Sequence, residues 1–123
     1  MRWLAHGNLT PAAIEAVARH GHAVQTTAEL LPGEDVIDLD ELLLRATKEQ
    51  LDVLTTDKSL AARPFETKTR FARALVYLQL EGGDVEQDDA IDRLFARYKS
   101  PKPGMLYTVT ETRVKVRQLP GLK

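Results

Sequence analysis

Asp57 closes the run LDVLTTDKSL at 51–60. Leu51, Val53, Leu54 and two threonines form a short β-prone stretch, and Lys58, Ser59 and Leu60 begin a turn or helix. A strand ending this way delivers a carboxylate to the edge of a sheet. In open α/β sheets, that edge is where loops and helix N-termini leave a crevice with unpaired donors. The same carboxylate has a simpler use as the N-cap of the helix that follows. Other acids stand at Asp38, Asp40 and Glu41, where a second helix starts, and the first strand runs out at His6, Gly7 and Asn8. If these three segments meet, several carboxylates around one hollow make a hard-cation site for Mg²⁺ or Mn²⁺. Such ions catalyse phosphodiester hydrolysis by activating water and neutralising the leaving oxygen. Asp38 and Glu41 also have the spacing of a capping box, which would occupy them structurally. Beyond Asp57, residues 58–73 carry Lys58, Arg63, Lys68, Arg70 and Arg73 against a single acid, Glu66, a local concentration suited to a polyanion.

The elements that must position these groups alternate. Residues 2–5 read as a strand and 6–9 as a turn. Thr10 offers an N-cap oxygen, Pro11 fits the first helical position, and Ile14, Val17, Ala18 and Gly21 share a helical face, with Gly21 as the stop. Residues 22–27 form a second strand with Ala23 and Val24 as its core residues. A loop over 28–38, holding Pro32 and Gly33 and room for a helical turn, follows. Leu39, Leu42, Leu43 and Ala46 mark a second helix that leads into the Asp57 strand. Pro64 is expected to break 58–73 into two short pieces. The apolar run at 74–80 suits a buried strand closed by Gly82 and Gly83. Residues 85–99 form a helix with Ile91, Leu94, Phe95 and Tyr98 on one face, its N-terminus favoured by Glu86, Asp88 and Asp89. Residues 106–110 and 113–119 read as a terminal hairpin, with Arg113, Lys115 and Arg117 on one face and the intervening valines toward the core. The pattern predicts a three-layer α/β/α domain over 1–123: a mostly parallel central sheet ending in an antiparallel hairpin.

Composition narrows the functions open to such a fold. The chain has 123 residues, 43% hydrophobic and 28% charged, with a formal net charge of -1, so a nucleic-acid site would be a local patch and not a global basic bias. With no cysteine there is no disulfide and no thiolate metal site. No apolar run approaches the roughly 18 residues of a membrane span, and the first residues lack the apolar core of a signal peptide, so the expectation is cytoplasmic. Dinucleotide, P-loop, hydrolase-elbow and zinc-protease motifs do not occur. His20 and His22 fall at a helix cap and a strand start. Trp3 and the other aromatics are too scattered for a base-stacking platform.

The order of WLAHGNLTPAAIEAVARHGHAV, DLDELLLRA, LDVLTTDKSL, VYLQL and VTETRVKVRQLP, together with the distance from Ala46 to Asp57, resembles the small PIN-like proteins of the DUF5615 or Mut7-C type nearly end to end. The resemblance implies a parallel sheet between helices and, in active members, a divalent-metal-dependent ribonuclease, often the toxin of a toxin–antitoxin pair. It also implies roles. Asp57 matches a metal ligand after the third strand. The acid at the start of the second helix falls on Leu39 by counting, and Asp40 is preferred over Asp38, the better cap. The usual Asp-Glu-Asn after the first strand is here His6, Gly7 and Asn8, so only Asn8 survives, and a second acid beyond the third strand is replaced by Ser59.

Two readings follow. One is a non-catalytic PIN-like domain that binds RNA or a protein partner through 58–73 or the hairpin. The other is a Mg²⁺- or Mn²⁺-dependent ribonuclease. It would use Asp57 and Asp40, with Asp38 as a further ligand candidate and Asn8 orienting water or substrate. Lys58, Arg63, Lys68 and Arg70 would contact the nucleic acid. An antitoxin-like protein or a second copy of the chain, paired at the hairpin edge, are the partners these readings admit. A phosphoacceptor role for Asp57 is a third option, but it would need a paired acid cluster after the first strand, which His6-Gly7 does not supply.

Overall fold

Residues two apart along a strand face the same side of a sheet, and here that alternation sorts the apolar residues onto two faces. A computed structural model of the chain describes residues 1–33, 38–67 and 71–120. In it the elements are β1 (Arg2–His6), α1 (Pro11–Arg19), β2 (Ala23–Thr26), α2 (Thr27–Leu30), α3 (Leu39–Lys48), β3 (Asp52–Thr55), α4 (Lys58–Thr67), β4 (Leu75–Leu78), α5 (Asp84–Arg97), β5 (Met105–Val109) and β6 (Val114–Gln118). The strands form one sheet in the order β2-β1-β3-β4-β5-β6, parallel throughout except for the antiparallel β5–β6 pair. On one face Trp3, Leu54, Val76 and Val109 pack with Ala13, Ala16 and Val17 of α1 and Ala90, Ile91 and Leu94 of α5. On the other, Leu4, Val53, Leu75 and Leu106 pack with Leu30 of α2, Leu42, Leu43 and Ala46 of α3, and Leu60 and Ala61 of α4. This is the three-layer α/β/α architecture with its terminal hairpin. Among the described residues no helix is long and apolar enough to cross a membrane.

The helix ends follow the sequence signals. Thr10 Oγ1 accepts the Ala13 N–H at 3.3 Å with Pro11 at the first turn, and Gly21 takes φ +87° just past the His20 cap. Asp38 Oδ1 accepts the N–H groups of Asp40 and Glu41 at 2.9 and 3.3 Å, fixing the start of α3. The helical turn allowed for in the loop after β2 is the four-residue α2, capped reciprocally by Thr26 and Glu29.

Four expectations need correction, one being that Ala23, expected in the core of the second strand, is exposed, with Val24 half-buried. The buried stripe of α1 is Ala13, Ala16 and Val17, while Ile14 is half-buried and Ala18 exposed. Small residues on that stripe let α1 approach both the sheet and α5 closely, which a count of apolar spacing does not reveal. Pro64 does not divide its segment, because α4 runs through it from Lys58 to Thr67. Its missing N–H removes one backbone bond to the Leu60 carbonyl, but Leu60, Ala61 and Pro64 are all buried, and tertiary packing of that face outweighs the local cost. In β6 only one of the two valines meets the core: Val114 is half-buried against the α1 and α5 side, whereas Val116 is 39% exposed. β6 is the outermost strand, and among the described residues no helix packs over Val116. The expected loop residues 34–37 and the basic Lys68 and Arg70 lie outside the described residues.

Candidate functional site

The sheet order places β2 on one side of β1 and β3 on the other, so the carboxyl ends of β1 and β3 flank the point where the winding reverses, the usual ligand crevice of such sheets. Here the loops after β1 and β3 are knotted together by hydrogen bonds. His6 Nδ1 lies 2.8 Å from Thr55 Oγ1, and the Asn8 N–H donates to Thr56 Oγ1 at 2.7 Å. Between them Gly7 holds φ +86°, and a Cβ placed on it would stand 2.6 Å from Thr56 Oγ1 and 3.3 Å from the Thr56 nitrogen. Glycine is therefore required at position 7 both by its backbone conformation and by the closeness of the second loop.

Asp57 sits at the N-terminus of α4. Its Oδ1 accepts the Ser59 N–H at 2.8 Å and its carbonyl accepts the Ala61 N–H at 3.2 Å, while its own N–H donates to Thr55 Oγ1 at 2.9 Å. The capping role considered for this carboxylate is thus present. Its charge also reaches its neighbours. Burial lowers the pKa of His6 below its ordinary 6.5, with Asp57 pulling the other way, and the Tyr77 hydroxyl is pushed up, first by burial and then by Asp57. Strand register explains this proximity. His6, Thr55, Tyr77, Thr108 and Lys115 are consecutive cross-strand partners, a polar row along the carboxyl edge on the face that α4 partly covers. Alternation within each strand hints at it, but only the pairing register assembles it.

Three hollows open along this edge, the third, about 370 Å³, at Gln79, Glu81, Glu111 and Lys115. The first, about 360 Å³, is lined among others by Asn8, Thr10, Thr56, Tyr77, Gln79 and Gln87. Gln87, only 5% exposed, fixes its wall: Nε2 donates to the Asn8 carbonyl at 3.2 Å and Oε1 accepts the Thr10 N–H at 3.0 Å. Sequence reasoning missed Gln87, although one signal was available, a polar side chain three and four residues before Ala90 and Ile91 on the buried face of α5. The second hollow, about 320 Å³, lies between α4 and the last strands, and Lys58, Phe65, Tyr77, Gln79 and Arg117 are among its walls.

Asn8 and Asp57 therefore belong to adjoining loops, and Lys58 starts α4 beside them. Asp40 has different partners. Both its oxygens are held by Arg63, from Nε to Oδ1 and from Nη2 to Oδ2 at 3.0 Å each, and Thr67 Oγ1 lies 3.4 Å from Oδ1. Those partners stand six and ten residues past Asp57 along α4, about 9 and 15 Å of helix rise. The Arg63 guanidinium, expected to meet nucleic acid, is committed to this pair, and its pKa is raised chiefly by the hydrogen bond to Asp40. Asp38 is engaged as the cap of α3.

As arranged, these carboxylates do not fit a hard cation. Asp38 and Asp40 are turned to other partners, one oxygen of Asp57 caps α4, and among the described residues no three His, Asp or Glu side chains are grouped to hold a metal ion. Away from this edge, Arg19 and His20 meet Asp92 at 2.9 and 2.7 Å, an exposed cluster that ties α1 to α5 and lowers the Asp92 pKa, His20 contributing most. Compared with known proteins, the chain matches no family model, no curated protein and no solved structure.

Proposed function

We propose that this chain is a cytoplasmic PIN-like domain of the DUF5615 or Mut7-C type that binds RNA or a protein partner without cleaving it. The observation that carries the reading is the two-pronged grip of Arg63 on Asp40. The carboxylate that a metal-dependent nuclease would pair with Asp57 is neutralised by a guanidinium, with both oxygens already accepting hydrogen bonds. His6 at the end of β1 adds no negative charge, and burial disfavours its charged form. What remains at the edge is a row of neutral polar groups beside the single carboxylate of Asp57, with Lys58 at its margin, suited to holding a ligand more than to acidifying a water.

The test joins three measurements on the purified chain: melting temperature across millimolar Mn²⁺ and Mg²⁺, cleavage of a mixed panel of single-stranded RNAs, and binding of the same RNAs by fluorescence anisotropy. The expected result is a metal-independent melt with no cleavage. Metal stabilisation and cleavage that both vanish in Asp57→Asn would instead assign the chain to the metal-dependent ribonucleases, with Asp57 and Asp40 as ligands after Arg63 releases its partner.

A further inference from the structure

Of the hollows at the carboxyl edge, the one between α4 and the hairpin is built differently from the rest of the surface. α4 covers β3 and β4 and reaches Leu106 of β5, but Thr108 is only half-buried and Lys115 and Arg117 of β6 are exposed on the same face, so Leu106 and Thr108 form a floor beside Phe65 and Arg117. Arg117 pairs in register with Leu106, and Lys115 with Thr108, which puts both cations on this face. The Arg117 guanidinium stands 3.9 Å over the centroid of the Phe65 ring, a cation–π stack at the mouth of the hollow. Lys58 is in the lining, Lys115 lines the neighbouring hollow with Glu81 and Glu111, and among the described residues neither lysine makes an ion pair. Glu66 is the one carboxylate in the lining. Tyr77 and Gln79 are shared with the first hollow, so the two adjoin at these side chains.

From this geometry we infer that the groove between α4 and β5–β6 binds a segment of single-stranded RNA, one base stacking on the Arg117–Phe65 pair while Lys58 and Lys115 hold the flanking phosphates. The inference rests on the RNA-binding reading above and gives it a place. A planar guanidinium backed by an aromatic ring is a sequence-tolerant platform for an unpaired base. The cations suit a polyanion, and Gln79 and Thr108 offer side-chain donors and acceptors within the same walls. A protein strand added at the open edge of β6 would use the backbone of that strand and would leave the stacked pair without a role.

The experiment measures binding of a fluorescein-labelled 12-mer of mixed RNA sequence to the full chain, with Arg117→Lys as the central variant. It keeps the charge on an exposed strand and removes the plane. The expected losses are about 5- to 150-fold for Arg117→Lys and for Phe65→Ala, the range of one base–aromatic stack. In Lys115→Gln the slope of log affinity against log salt should fall by about 0.7, one phosphate contact on a single strand. Circular-dichroism melts establish that each variant is folded. Arg117→Lys and Lys115→Gln remain interpretable if Phe65→Ala is not. Unchanged affinity in Arg117→Lys together with full competition by heparin would overturn the stacking site while leaving RNA binding in place. Affinity lost in Asn8→Ala but not in Arg117→Lys or Lys115→Gln would move the site to the first hollow. No binding of the 12-mer at low salt would remove both this inference and the RNA reading, whereas capture of an acidic peptide through Arg117 without RNA binding would replace the ligand by a protein.

Discussion

His6 Nδ1 and Thr55 Oγ1 meet at 2.8 Å across the β1–β3 boundary, with the imidazole half-buried beneath the loops. Burial holds the folded-state pKa of His6 below its ordinary 6.5, and His22 is shifted the same way, by burial first and then by the N-terminus and His20. A histidine that binds its proton more weakly when folded favours unfolding as pH falls through the unfolded value, so its destabilising effect is absent at pH 7.5 and grows below about 6.5. The low-shifted Asp92 acts only nearer its own ordinary 3.8 and does not enter this window. The melting temperature is therefore expected to fall between pH 7.5 and 5.5. His6→Asn, which can keep a hydrogen bond to Thr55, should flatten the profile, and adding His22→Phe, which preserves stacking on Phe95, should flatten it further. A double variant as steep as the parent would show that other groups set the slope.

Gly7→Ala should be destabilising by more than the roughly 1–2 kcal/mol of a left-handed alanine, because the new methyl meets Thr56 Oγ1 as well. Thr56→Ala alone loses the acceptor for the Asn8 N–H. Urea denaturation of both single variants and the double variant should give a coupling in which the second change costs less than it does alone, since Thr56→Ala makes room for the methyl. Strict additivity would mean that the side-chain contact carries no cost.

Substitutions at Asp57 separate capping from any other role of the carboxylate. Asparagine caps nearly as well as aspartate, so Asp57→Asn should leave the urea midpoint almost unchanged, whereas Asp57→Ala should cost about 1 kcal/mol by orphaning the Ser59 N–H. Equal losses in the two variants would point to the charge as the stabilising feature.

The last strand offers a contrast. Val116→Thr, at a 39% exposed position, should change stability by no more than about 0.5 kcal/mol, while Leu106→Ala on the paired strand, 7% exposed, should cost about 2–5 kcal/mol. Thermal or urea unfolding of the two variants measures it directly.

How much of this was legible beforehand depends on the range of the forces involved. Helix starts at Thr10 and Asp38, the apolar stripe of α3 and the final hairpin depend on residues near one another in sequence and read cleanly from the chain. The parallel sheet, whose partners such as Trp3 and Asp52 are far apart, followed from the alternation of strands and helices. The continuity of α4 through Pro64 and the exposure of Val116 depend on what lies across the core or fails to lie over an edge, which local periodicity does not encode. At the edge of the sheet, Asp57 was placed correctly at the end of β3 and its capping function was foreseen. The commitment of Asp40 to Arg63, 23 positions away, was not, because opposite charges on two amphipathic helices say nothing of which pairs will meet. Gln87 escaped for a related reason: a glutamine near a helix start reads as solvent-facing until the loop that it supports, 79 positions earlier in sequence, is set against it.

The tight turn at Gly7 has an evolutionary consequence. A larger residue there, acidic or otherwise, is eased once the hydroxyl at position 56 has gone, so any lineage placing a bulkier side chain at the tip of the first loop is expected to alter the other loop beforehand. Surveys of close variants should then find the two positions changing in that sequence, with side chains bigger than glycine at 7 concentrated in backgrounds already lacking threonine at 56.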